Sequence, residues 1–145
     1  MEATFNWVYK SHFAASWFMT GLIWLIQIVH YPLFNQIGKE QFVKFHTAHT
    51  QLITYIVMPV MLIELISYAL FFFDQHNFSK LDLSIYGFSL AAIWLTTMFL
   101  SIPAHNQLAL GFNQEAYESL VKTNWIRTFF WTLKSVYLLM KFKLG

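Results

Sequence analysis

Long apolar runs separated by short polar stretches dominate the chain. Four runs stand out, at about 13–34, 52–73, 83–104 and 125–142. Each approaches the ~20 residues that an α-helix needs to cross a hydrocarbon core. No strand-period alternation accompanies them. A bilayer interior offers no water to unpaired backbone groups, so helices rather than a barrel are expected. The intervening stretches are 35–44, 74–82 and 111–122, with Asp74-Gln75-His76-Asn77 reading as a polar turn. Ile37-Gly38-Lys39-Glu40 stops the first helix, and an amphipathic stretch from about Gln41 begins the second before its apolar part. Pro32 and Pro103 fall near the ends of the first and third runs. Pro59 lies inside the second and should bend it, because it removes one hydrogen bond and crowds the preceding turn. No internal repeat or low-complexity tract is evident. The expected fold is all-α: one membrane domain over 1–145, an integral membrane four-helix bundle with short connections and both termini on the same side.

Composition sharpens this reading. The chain is 57% hydrophobic, 20% aromatic and only 11% charged, against roughly 25% charged for soluble domains. The rings suit lipid contact and interfacial belts. The first run is longer than a secretory signal's core and no small-x-small cleavage site follows it, so it reads as a retained helix. A net charge of +2 without a basic patch excludes nucleic acid as a partner. The absence of cysteine excludes disulfides, thiolate metal sites and cysteine nucleophiles. Lys10, Lys80, Lys141 and Lys143 mark one face and Lys39, Lys44, Lys122 and Arg127 the other. With Lys134 added to the first, the balance tips toward cytoplasmic termini and an outward histidine-rich end.

That end carries the candidate chemistry. His30 closes the first run, His46 and His49 precede the second, His105 closes the third and Arg127 opens the fourth. Chain reversal brings all five to one face. Imidazoles directed at one point can hold copper, iron or zinc, so His30, His46, His49 and His105 form a candidate metal set. His30, His49 and His105 lie at the more compatible depths. Gln27 and Tyr31 flank His30 at helical spacing and can fix its orientation. The same residues equally suit a metal-free polar pocket, or plain interfacial histidines. His12 and His76 belong to the opposite end and are left out.

Ionisable groups within membrane segments usually face a partner or a watery cavity. Arg127 shares a helix face with Asn124 and Trp131, a donor fork suited to a carboxylate, phenolate or quinone oxygen. Glu64 and Lys134 fall at similar depth on helices running in the same direction, which predicts a buried ion pair. Thr97, Ser101 and His105 recur every four residues toward the interior. Met58, Met61 and the Trp17, Gly21, Trp24 series fit helix packing, with Gly21 permitting close approach.

His30-Tyr31-Pro32-Leu33-Phe34, Pro59-Val60-Met61-Leu62, Pro103-Ala104-His105-Asn106-Gln107-Leu108 and Asn124-Trp125-Ile126-Arg127-Thr128 with Trp131 follow in order. In this the chain resembles the small four-helix membrane proteins grouped with the anthrone-oxygenase-like family, over about 21–134. The resemblance implies a four-helix bundle and oxidation of an aromatic carbon to a quinone without an established cofactor. It also implies pocket roles for His105, Asn106, Asn124 and Arg127. The richness in histidine departs from that pattern and favours metal assistance. Two functions are therefore expected, beside a purely structural assembly role in which Glu64–Lys134 and the aromatics are packing and the histidines incidental. One is an oxidoreductase acting on a hydrophobic aromatic or quinone-like molecule, with Arg127 holding oxygen and His105 or His30 moving a proton. The other is a non-catalytic membrane subunit or carrier that binds a small anionic or lipid-like ligand in the same pocket, as a homo-oligomer or within a larger membrane complex.

Overall fold

Helix formation follows the apolar runs and continues past them wherever a polar stretch keeps one apolar face. The computed structural model describes residues 2–73 and 78–141, with side chains from residue 6 onward. These residues form an all-α four-helix bundle. Helix α1 covers 2–34, as Glu2–Leu25, a π-helical segment Ile26–His30 and a last turn Tyr31–Phe34. Helix α2 is Lys39–Phe71, running unbroken through Pro59. Helix α3 covers 80–108, as Lys80–Thr96, a second π-helical segment Thr97–Ser101 and Ile102–Leu108. Helix α4 is Gln114–Lys141.

Helix α1 packs on α2 and α4, and α3 packs on α4 and α2, so α1 and α3 face each other across the bundle axis. The Tyr9 hydroxyl donates to the Leu138 carbonyl at 3.1 Å, tying the start of α1 to the end of α4. Ser79 and Asp82 form a reciprocal capping box at the start of α3. Asp82 also accepts from the Tyr137 hydroxyl at 2.6 Å and from Lys141 at 3.0 Å, so this cap fastens α3 to α4. The Asn113 side chain caps α4 by accepting from the Ala116 N–H at 2.9 Å. Gly111 makes the α3–α4 turn with φ of 146°, a conformation that suits glycine.

Three apolar clusters stack along the axis. One contains Phe34, Phe42, Leu108 and Leu120. The next contains Met19, Ile23, Met61, Ile93 and Trp131. The last contains Phe71, Tyr86 and Leu138. Among the described residues, the helical stretches Asn6–Phe34, Lys39–Phe71 and Lys80–Leu108 are long and apolar enough to cross a membrane. Helix α4 lacks that hydropathy because Asn124, Arg127 and Lys134 occupy its inner face, although its outer face exposes Trp125, Ile126, Phe129, Leu133, Val136, Leu139 and Met140.

Several boundaries and faces differ from the sequence expectation. Helix α1 begins at Glu2 rather than near 13, and α4 begins at Gln114 rather than near 125. Most of the expected 111–122 connection is therefore helix. The 74–77 turn, His76, and an extension of α4 to 142 and beyond fall outside the described residues. The Trp17, Gly21, Trp24 face points outward: Trp17 and Trp24 are exposed, and nothing lies within 4 Å of a Cβ built on Gly21. His12, Ser16, Met19, Thr20, Ile23 and Gln27 take the inner face instead. Close approach occurs at Gly87, where a Cβ would strike the hydroxyl end of Tyr68. Met58 is exposed, whereas Met61 is core.

Candidate functional site

Helices α1 and α3 carry the same local device at corresponding places. Each contains a five-residue π-helical segment, closed by an i→i+5 bond from Tyr31 N–H to the Ile26 carbonyl or from Ile102 N–H to the Thr97 carbonyl. Each is followed, one residue later, by proline, Pro32 or Pro103. A π-bulge inserts one residue into the helical turn and redirects the side chains beyond it, and such bulges concentrate at functional sites. Here they redirect His30 and Tyr31 on α1, and Ser101 and His105 on α3. Helices α1 and α3 thus share an internal likeness that the sequence analysis missed. Its visible trace is the equal spacing from Ile26 to Thr97 and from Pro32 to Pro103.

The four histidines gather at this end. His30 Nε2 and His49 Nδ1 meet at 2.8 Å, and His46 Nε2 and His105 Nδ1 at 3.0 Å. Ring centroids are 6.0 Å apart for His49 and His105 and 6.4 Å for His46 and His49. Phe42 stacks on His46 at 5.7 Å, and Phe34 presents ring edges to His30, His46 and His49. These aromatic walls restrict the imidazoles. Among the described residues, no group of three or more His, Asp or Glu is arranged to hold a metal ion. The histidines stand as two nitrogen-to-nitrogen pairs.

The His46–His105 pair continues inward. His105 Nε2 lies 3.3 Å from the Tyr31 hydroxyl, and the Arg127 guanidinium lies against that hydroxyl. Arg127 Nη1 donates to Ser101 Oγ at 3.2 Å, and its guanidinium carbon sits 5.3 Å from the Trp131 ring centre. Arginine only donates, so the Tyr31 oxygen faces a donor and its own proton points to His105. His105 then carries its proton on Nδ1 and donates to His46 Nε2, which places the His46 proton on Nδ1. Tyr31 and His105 are satisfied in this order, and the chain ends at His46 Nδ1, which is buried without a partner. The result is a directional chain from Arg127 through Tyr31 and His105 to His46.

Arg127 is 6% exposed. The ion pairs among the described residues are Lys122–Glu118, Lys134–Glu64 and Lys141–Asp82, so none compensates Arg127. Its Nε is unpartnered, as is the nearby Asn124 Oδ1. Asn124 Nδ2 donates to Gln27 Oε1 at 2.8 Å, and Gln27 Nε2 donates to the Val121 carbonyl at 3.2 Å. Gln27 thus steadies Asn124 rather than His30. A buried cation with free donors beside an ordered amide is suited to an oxygen-bearing ligand.

His30, His46, His49, His105, Tyr31, Arg127, Asn124 and Gln27 therefore belong to one end of the bundle, with Trp131 at its inner boundary. Asn106 does not join them: it is exposed, one helical step round from His105. Ser101, recognised earlier only as part of an inward stripe, is a direct partner of Arg127. Glu64 and Lys134 pair farther along the axis, where Lys134 Nζ donates to Glu64 Oε1 at 2.5 Å and Trp131 Nε1 to Glu64 Oε2 at 3.0 Å. Trp131 thus stands between the two polar regions. His12, left out of the sequence reading, is fully buried beside that pair and bonds Ser67. The inward recurrence of His12, Ser16 and Thr20 was the available signal. No protein-family model matches the chain, and comparisons with curated proteins and with solved structures likewise found no match.

Proposed function

We propose that this chain is an integral membrane oxidoreductase of the anthrone-oxygenase-like kind. It crosses the bilayer four times and acts on a hydrophobic aromatic or quinone-like molecule at the histidine and arginine end. The observation that carries the reading is Arg127, a buried guanidinium with no carboxylate among the described residues, set against the Tyr31–His105–His46 chain. The fourth crossing is supported by the continuous apolar outer face of α4, whose charges turn inward.

The chemistry follows from the order of groups. Removing a proton from a ring methylene conjugated through the arenes to a ketone leaves negative charge on the ketone oxygen, which Arg127 stabilises. The Tyr31 oxygen receives the proton while passing its own to His105, and His105 passes its Nδ1 proton to His46. Dioxygen then oxidises the anion. The methylene carbon loses two hydrogens and gains one oxygen, and the other oxygen leaves as water. Copper, iron or zinc held by His30, His46, His49 and His105 is a second form of this reading, favoured by the gathering of four rings. Copper or iron there would activate oxygen, zinc would serve only as a Lewis acid, and the histidines would have to exchange their two mutual contacts for the metal.

The test is oxygen consumption by protein in lipid nanodiscs supplied with an anthrone, beside Arg127→Met and His105→Gln, with metal content measured on the same samples. Turnover lost in both variants supports the enzyme. Saturable binding that needs Arg127 but gives no turnover moves the reading to a carrier or subunit. Stoichiometric metal that disappears in His30→Ala/His105→Ala selects the metal form.

A further inference from the structure

Between the apolar layer of Met19, Ile23, Met61, Ile93 and Trp131 and the layer of Phe71, Tyr86 and Leu138 lies a band of polar side chains. It contains His12 and Ser16 from α1, Glu64 and Ser67 from α2, Ser89 from α3, and Lys134 from α4. Each is buried, and His12, Ser16, Ser89 and Lys134 are at 0% exposure. Such a band inside an apolar bundle calls for complete mutual satisfaction, because unpaired polar groups are costly there. Satisfaction is incomplete at three atoms: His12 Nε2, Ser16 Oγ and Ser89 Oγ.

The hydroxyls show what is unusual. Thr20, Ser67, Thr128 and Thr132 each bond the carbonyl four residues back. Ser16 and Ser89 do not, and they come from the diagonally opposed helices α1 and α3. Tyr86, one turn from Ser89, meets His12, Phe71 and Tyr137 at ring-centre distances of 5.9, 6.1 and 5.7 Å. That residue therefore sits on the axis, and Ser89 follows it there. The Ser67 hydroxyl donates to the Ile63 carbonyl at 2.6 Å, so at 2.7 Å it accepts from His12 Nδ1. His12 Nε2 is then an acceptor without a donor. Lys134 carries three N–H donors and directs one to Glu64.

We propose that this band is a second binding site, for ordered water, distinct from the histidine and arginine end. A water molecule accepts from Lys134 and donates to His12 Nε2, and the hydroxyls of Ser16 and Ser89 complete its surroundings. An internal water requires two to four polar partners, and the band supplies them from α1, α3 and α4. The water solvates the Glu64–Lys134 pair and links it to His12. The layer of Met19, Ile23 and Met61 keeps it apart from the other end.

Hydroxyl-radical footprinting of the full wild-type protein in nanodiscs tests this, because a microsecond X-ray pulse generates radicals from water where that water sits. Oxidation of His12 and Tyr86 above that of Met19 and Met61, which are intrinsically more reactive, is expected. Ser89→Leu, checked for folding by its melting curve, should remove the His12 signal. His12 as unmodified as Met19 in the wild-type protein would overturn the proposal, as would a His12 signal unchanged in folded Ser89→Leu.

Discussion

Two buried cations lie on the same helix, two turns apart, and they live differently. Lys134 is compensated: Glu64 takes its charge, Trp131 holds the second carboxylate oxygen, and no part of the lysine is exposed. Arg127 meets a serine, a tyrosine and an aromatic face, all neutral, and keeps a free Nε. Removing two charges from water is costly, and an internal partner offsets that cost only when geometry is good. The Lys134 arrangement resolves its cost within the fold. That of Arg127 leaves it open to be resolved by a ligand. Compensation, rather than burial alone, separates the two charges, and the open one is the charge that the proposed function assigns to a ligand.

The largest expected effect comes from breaking the compensated pair. Lys134→Met should lower stability by about 3–5 kcal/mol by leaving Glu64 buried and unpaired, whereas Glu64→Leu/Lys134→Met should return most of that loss. Melting in a fixed detergent measures both, and equal losses in the single and double variants would break the comparison. Next is Tyr31→Phe, which cuts the chain between Arg127 and His105. Turnover of an anthrone should fall by about 10²-fold, with a stability loss of only about 1 kcal/mol. Arg127→Met sharpens the contrast, since removing an uncompensated cation should leave stability within about 1 kcal/mol of wild type while ligand binding disappears. Asn106→Ala is smallest. That side chain is exposed and outside the network, so binding, turnover and melting should match wild type within error.

The bundle was legible because four apolar runs of spanning length leave few alternatives to hairpins. Helix starts were less so. The stretches 6–12 and 114–124 are too polar to register as membrane segments, yet each keeps one apolar face that packs on a neighbour. The inner face of α1 was misassigned because two stripes compete on it. The Trp17, Gly21, Trp24 stripe mimics a packing motif, but its aromatic side chains turn outward while His12, Ser16 and Thr20 turn in. The gathering of histidines followed from helix ends and chain reversal alone. Their pairing did not, because it depends on the two π-segments, and an i→i+5 turn leaves no residue signature beyond the proline after it. Asn106 shows the limit of motif adjacency: it neighbours His105 in sequence, but one helical step turns it outside.

The most direct test of the account is the melting temperature of the wild-type protein and of Arg127→Met, each with and without a saturating naphthoquinone. At about 100 times Kd, a ligand bound only by the folded state adds ~2.7 kcal/mol, a shift of several degrees. That shift is expected in the wild-type protein and should be lost in Arg127→Met, with the ligand-free melting points nearly equal. An equal shift in both proteins, or none in the wild type, would contradict it.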